Sequence, residues 1–169
     1  MRTLEELAEK EQYLLSNIDS VQGTMEEKYH LLKEAGVFDQ FKNIHVHYAA
    51  MCGKDLEALK RAVFLMWYSR VEPAFLSGIN ELDLDSVSKT MESLNDCLKN
   101  SIIDSELEWM INYYSNWGYL FEDFKHLDSI NEFLLKEPEE SKLPLSINQD
   151  IMKNRGQMGR YWNSLNRFE

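Results

Sequence analysis

The chain has 169 residues, 44% of them hydrophobic and 28% charged, with only 7 Gly and 3 Pro. That mix excludes a disordered or low-complexity protein and allows one domain burying roughly 70% of its unfolded surface. The 29 acidic and 18 basic side chains give a formal charge of −11, which disfavours nucleic acid and anionic membrane as partners, while also serving solubility.

Thr3-Leu-Glu-Glu6 has the form of a capping box, in which hydroxyl and carboxylate satisfy each other's backbone donors at a helix start, and Leu4, Leu7, Leu14, Leu15 and Ile18 follow at helical spacing. After a break at Gly23, Thr24-Met-Glu-Glu27 repeats the box and predicts a second helix ending at Gly36, the two forming an αα-hairpin. A third helix is predicted over 37–51, with Phe38, Phe41, Ile44 or His45, and Tyr48 on one face. Asp55 is placed as the N-cap of the next helix, which runs into the most apolar stretch of the chain, residues 61–78. Apolar residues there wrap most of the helix, so it is expected to be buried on most sides and to form the centre of the fold. Pro73 forces a kink or restart, and a restart with Pro73 at the first helical position is expected.

Beyond the Asn80–Asp85 turn, a helix is predicted over 85–100. The most aromatic segment follows, with Trp109, Tyr113, Tyr114, Trp117, Tyr119, Phe121 and Phe124 expected to dominate a second core region. Residues 137–144, EPEESKLP, are the one linker-like stretch, and Ser146-Ile-Asn-Gln149 reads as a further capping box opening a C-terminal helix interrupted at Gly156 and Gly159. Nothing shows the period-2 alternation of a sheet. The expected architecture is all-α, antiparallel helical hairpins in an irregular bundle or short α-solenoid of about seven to nine helices. It divides into a helical domain over 1–136, an acidic Pro-containing linker over 137–146, and a C-terminal helix over 147–169 packed on the domain or on a partner. A recurring form, F-[DE]-x-F-K-x-[IL] at Phe38–Ile44 and Phe121–Leu127, is read as chance because its flanks do not align.

Cys52 and Cys97 lie far apart without CxxC spacing, so neither a zinc ribbon nor a disulfide framework is expected. The longest uninterrupted apolar run, Ala62 to Tyr68, is far short of a membrane span, and the acidic start is unlike a signal peptide. A cytoplasmic location is expected.

Glu27-x-x-His30 and Asp123-x-x-His126 each set a carboxylate and an imidazole on one helical face, the spacing used by carboxylate-bridged di-metal bundles. They define the alternative of a transition-metal site, with Glu72, Glu106 and Glu108 as conceivable further ligands. His45 and His47 lie about 200° apart on a helix and are not expected to share a ligand; His45 reads as a partly buried, hydrogen-bonded core residue and His47 as a surface one. Arg70 and Glu72 stand directly against the apolar run. They read structurally as a pair, or as a cap on the backbone groups freed by the proline break, or functionally as the polar floor of a pocket with Trp67, Tyr68 and Phe75. Phosphate loops and nucleophile elbows have no counterpart in the sequence. The expectation is therefore a non-catalytic protein-interaction domain without an obligate cofactor, an acidic inhibitor or immunity-type binder of a basic protein, with homodimerisation left open. The alternative is a metal-dependent or small-ligand-binding helical protein.

Overall fold

Both N-terminal capping boxes form, and they set where the first hairpin begins. Thr3 and Thr24 accept hydrogen bonds from the backbone N–H groups of Glu6 and Glu27, whose carboxylates accept in return from the backbone of Thr3 and Thr24. The computed structural model describes residues 2–117, 119–136 and 147–165. Among these the elements are α1 (Leu4–Ser20), α2 (Met25–Glu34), α3 (Val37–Met51), α4 (Leu56–Val71), α5 (Ala74–Ser77), α6 (Leu84–Lys99) and α7 (Ser105–Ser115), then a 3-10 helix (Leu120–Phe124), α8 (Asp128–Leu135), α9 (Gln149–Met152) and α10 (Gly156–Leu165). The chain is thus all-helical. The count passes nine because α5 and α9 are single turns.

The centre is α4. Every residue from Ala58 to Trp67 is buried, including Lys60 and Arg61. It packs against α3, α6 and α10, and α10 also lies along α1. Elements from the two ends of the chain therefore share one core. A solenoid would place only sequence neighbours in contact, so the arrangement is a bundle. The recurring F-[DE]-x-F-K-x-[IL] form is not a structural repeat, since Phe38–Ile44 lies in α3 whereas Phe121 begins inside the 3-10 helix.

At the proline break α4 stops at Val71, Glu72 is extended, and Pro73 becomes the N-cap of α5, which therefore begins at Ala74, one residue later than the restart expected. The residue before a proline is pushed out of the α region, which makes Glu72 the boundary. At the C-terminal end Asn148 caps α9 through its side-chain oxygen; the capping box assigned to Ser146 begins outside the described residues, as does the linker over 137–146. Gly156 opens α10, whereas Gly159 does not interrupt it. A β-carbon on Gly159 would sit 1.9 Å from the Met152 carbonyl oxygen, so glycine there lets α10 close onto α9.

The aromatic segment divides. Tyr114 and Phe121 are buried as a second core region requires, but α7 ends at Ser115, and Trp117 and Tyr119 are left exposed. No described helix is long and apolar enough to cross a membrane.

Candidate functional site

The residues singled out for a pocket each meet partners of their own. Trp67 is buried, stacked on Tyr114 at 4.7 Å and met edge-on by Tyr161 at 5.2 Å, and its indole N–H donates to the Trp117 carbonyl at 3.2 Å. Tyr68 stacks on Phe64 at 5.0 Å and Phe75 packs against the core. Arg70 does not pair with Glu72. It reaches Asp123 at 2.6 Å and the Tyr119 carbonyl at 3.4 Å, while partial burial raises the Glu72 carboxyl above its ordinary value. Arg70 and the buried Trp67 together pin the backbone on either side of residue 118, and from it the Trp117 and Tyr119 side chains face solvent, Tyr119 with a left-handed φ of 52°.

The two metal-spaced pairs have other occupations. Glu27 completes the capping box of α2 and Asp123 holds Arg70; His30 meets Tyr29 edge-on and His126 lies beside Phe124. Among the described residues no three His, Cys, Asp or Glu side chains form a group able to hold a metal ion. His47 contacts the Asn43 carbonyl at 2.7 Å, as a helix-surface histidine does. His45 departs from its hydrogen-bonded reading: it is fully buried with both ring nitrogens unpartnered, and burial pushes its pKa down to about 4. A neutral imidazole costs least to bury in that setting.

The site that sequence reasoning missed lies under the C-terminal helices. Arg155, just before α10, inserts between the carboxylates of Glu57 on α4 and Glu106 on α7. Its Nε donates to Glu57 Oε1 at 2.7 Å, and its two terminal nitrogens donate to Glu106 Oε1 and Oε2 at 2.8 Å each. One of them also closes on Glu57 Oε2. Lys60 adds bonds of 2.6 Å to both Glu106 and Asp104, and Arg61 one of 2.7 Å to Glu57. Burial opposes the charge on Glu106, but the hydrogen bonds from Arg155 and Lys60 prevail and hold its carboxyl down to about 2. All three cations are under one-tenth exposed, and charges that deep are tolerated only when paired.

A second buried contact joins α1 to the same segment. Glu11, 1% exposed, accepts from the Tyr48 hydroxyl at 2.5 Å and from the Gln157 backbone N–H at 2.7 Å, while Gln157 Nε2 donates to the Ser77 carbonyl. Burial raises the Glu11 carboxyl to about 7 against the opposing hydrogen bonds and the nearby Arg61. Gly156 has φ of 59°, and a β-carbon there would lie 2.5 Å from the Glu11 carboxylate, so both the turn and the close approach demand glycine. A carboxyl with a pKa near neutrality suits a general base. Here, however, both oxygens are filled by protein donors inside the core, so the arrangement fastens the chain's two ends together and offers no substrate a place beside the carboxylate.

The signal for this network was present at 58–63, ALKRAV, where two adjacent cations interrupt a helix otherwise apolar on nearly all sides. Arg61 meets Glu57 one turn away, but the carboxylates of Lys60 lie 44 and 46 positions on and Arg155 lies 98 positions from Glu57, beyond the reach of any local pattern. Comparison with known protein families, with curated proteins and with solved structures returns no match.

Proposed function

We propose that the chain is a non-catalytic, cytoplasmic protein-interaction domain whose partner is a basic protein, bound in the manner of an acidic inhibitor or immunity-type protein. The observation that carries this reading is the segregation of charge. The ion-pair network sets three cations, Lys60, Arg61 and Arg155, against three carboxylates, Glu57, Asp104 and Glu106. The whole formal excess of −11 is therefore left to the rest of the chain. An outward field of one sign steers an oppositely charged protein and repels polyanions.

The test is affinity capture from native lysate on the immobilised chain, followed by identification of what is retained. The expected result is a stoichiometric basic protein. Its binding should weaken as salt rises from about 0.1 M to 1 M and the screening length falls from about 10 to 3 Å. Retention of nothing at low salt, or of a partner indifferent to salt, ends the reading.

A further inference from the structure

A groove of about 680 Å³ runs between α1 and the two C-terminal helices. Its floor is small and largely apolar, formed by the buried residues Ala8, Met152, Gly156 and Gly159. One wall is the outward face of α1, where Glu5, Glu9 and Tyr13 follow at four-residue intervals and stand nearly in line, one turn apart. The opposite wall carries Lys153, Arg160 and Asn163.

The charges on the two walls are not equivalent. Lys153 is committed to Asp150 at 2.6 Å, and Arg160 to both carboxylate oxygens of Asp19 at 2.9 and 3.0 Å. Glu5 and Glu9 are exposed and form no ion pair with another described residue, and the Tyr13 side chain beside them is 64% exposed. Asn163 adds an amide oxygen that is buried without a hydrogen-bond partner. The groove thus offers two carboxylates that form no ion pair among the described residues, and an aromatic face, above an apolar floor. A free anion would meet the carboxylates, and a bare metal ion would gain nothing from the floor. A cation on an aliphatic stem uses both, because the stem covers apolar surface while the head keeps its charge in contact with carboxylate and ring.

We propose that this groove receives a lysine or arginine side chain of the basic partner, its stem along Ala8 and Met152 and its head between Glu5, Glu9 and the Tyr13 ring. The proposal rests on the basic-protein reading above and names where that partner is gripped. Both walls are fixed in advance, since Arg155 fastens the segment before α10 to α4 and α7, and Glu11 fastens the start of α10 to α1. Little ordering is left to oppose binding.

The experiment is a ¹⁵N-NMR titration of the full chain with acetyl-Gly-Arg-Gly-amide, with acetyl-Gly-Glu-Gly-amide as the control peptide. The expected result is chemical-shift change concentrated in residues 5–16 and 152–163, absent with the control. Binding should be weakened at least about tenfold in Glu9→Gln and in Tyr13→Ser, whose side chains are exposed, so the fold is retained. Shifts spread evenly over the acidic surface, no shifts at all, or wild-type binding by both variants would overturn the groove. The two readings fail separately. A captured basic partner that binds the Glu9→Gln, Tyr13→Ser double variant as tightly as wild type removes the groove and leaves the partner reading standing. Localised peptide binding without any captured protein removes the partner and leaves the groove.

Discussion

Two arginines each tie distant segments of this chain together, and they do so in different media. Arg155 has a side chain 8% exposed and is enclosed by Glu57 and Glu106, whereas Arg70 is 35% exposed and meets one carboxylate, Asp123, itself 63% exposed. The chemistry is the same guanidinium on carboxylate. What differs is what would replace the arginine: water solvates Asp123 freely, but it reaches the Glu57 and Glu106 side chains, 26% and 24% exposed, only in part. An ion pair's weight in stability is therefore set less by its distance than by the cost of the partner it would leave behind.

The largest expected effect follows directly. Arg155→Met keeps much of the side-chain length but leaves Glu57 with Arg61 and Glu106 with Lys60 as their remaining charged partners, while the grip on α10 is lost. Breaking a buried pair in this way costs about 3–5 kcal/mol, which urea unfolding of the two proteins measures. A loss under about 1 kcal/mol would mean that water reaches the junction, and the contrast with Arg70 would collapse.

The second prediction sharpens the contrast through pH. Glu11 is as deeply buried as Arg155 but has no full ion pair, and its carboxyl is raised from 4.5 to about 7 in the folded protein. A raised carboxylate pKa means the folded state holds the proton more tightly than the unfolded one. Its contribution is fully present below about pH 4.5 and is lost as pH rises through about 7, a change of roughly 3 kcal/mol. Glu11→Gln removes that titration. Its amide oxygen can accept from Gln157 N–H and its amide nitrogen can donate to the Tyr48 hydroxyl, so the contact survives. Stability measured at a series of pH values should therefore fall for the wild type between about pH 4.5 and 7 relative to Glu11→Gln. Parallel profiles would show that Glu11 is already solvated.

The same contrast between local and distant determinants explains what could be read from the sequence. The capping boxes at Thr3 and Thr24, the bounds of α3 and the burial of α4 are written in residues within a turn or two of one another, so spacing alone locates them. The restart at Pro73 is legible, but α5 begins one residue later because Pro73 itself takes an extended ψ of 142° and serves as the cap. Arg70 was noticed for standing against the apolar run, but its partner Asp123 lies 53 positions on, and the nearer Glu72 was the wrong choice. Lys60 and Arg61 sit inside an apolar helix, and Glu11 falls on the Leu7, Leu14, Ile18 face of α1, so its burial is legible from spacing whereas its partners on other elements are not. His45 is the converse case, a core position read correctly whose hydrogen bond does not exist, because polar satisfaction depends on neighbours from other helices.

The smallest expected effect lies at Arg70 itself. Arg70→Met releases Asp123 to water and removes the weak 3.4 Å donor to the Tyr119 carbonyl, while the indole of Trp67 still holds Trp117 on the other side of residue 118. The global cost should be about 0–1 kcal/mol, and a double-mutant cycle with Asp123→Asn should give a coupling of about 0.2–1 kcal/mol that shrinks in high salt. Backbone hydrogen exchange should speed up locally around Tyr119 and stay unchanged in α4, since the opening is confined to the turn. A coupling as large as that expected for Arg155 would show that the exposed junction is also a structural clamp, and that partial exposure does not protect a chain from a lost partner.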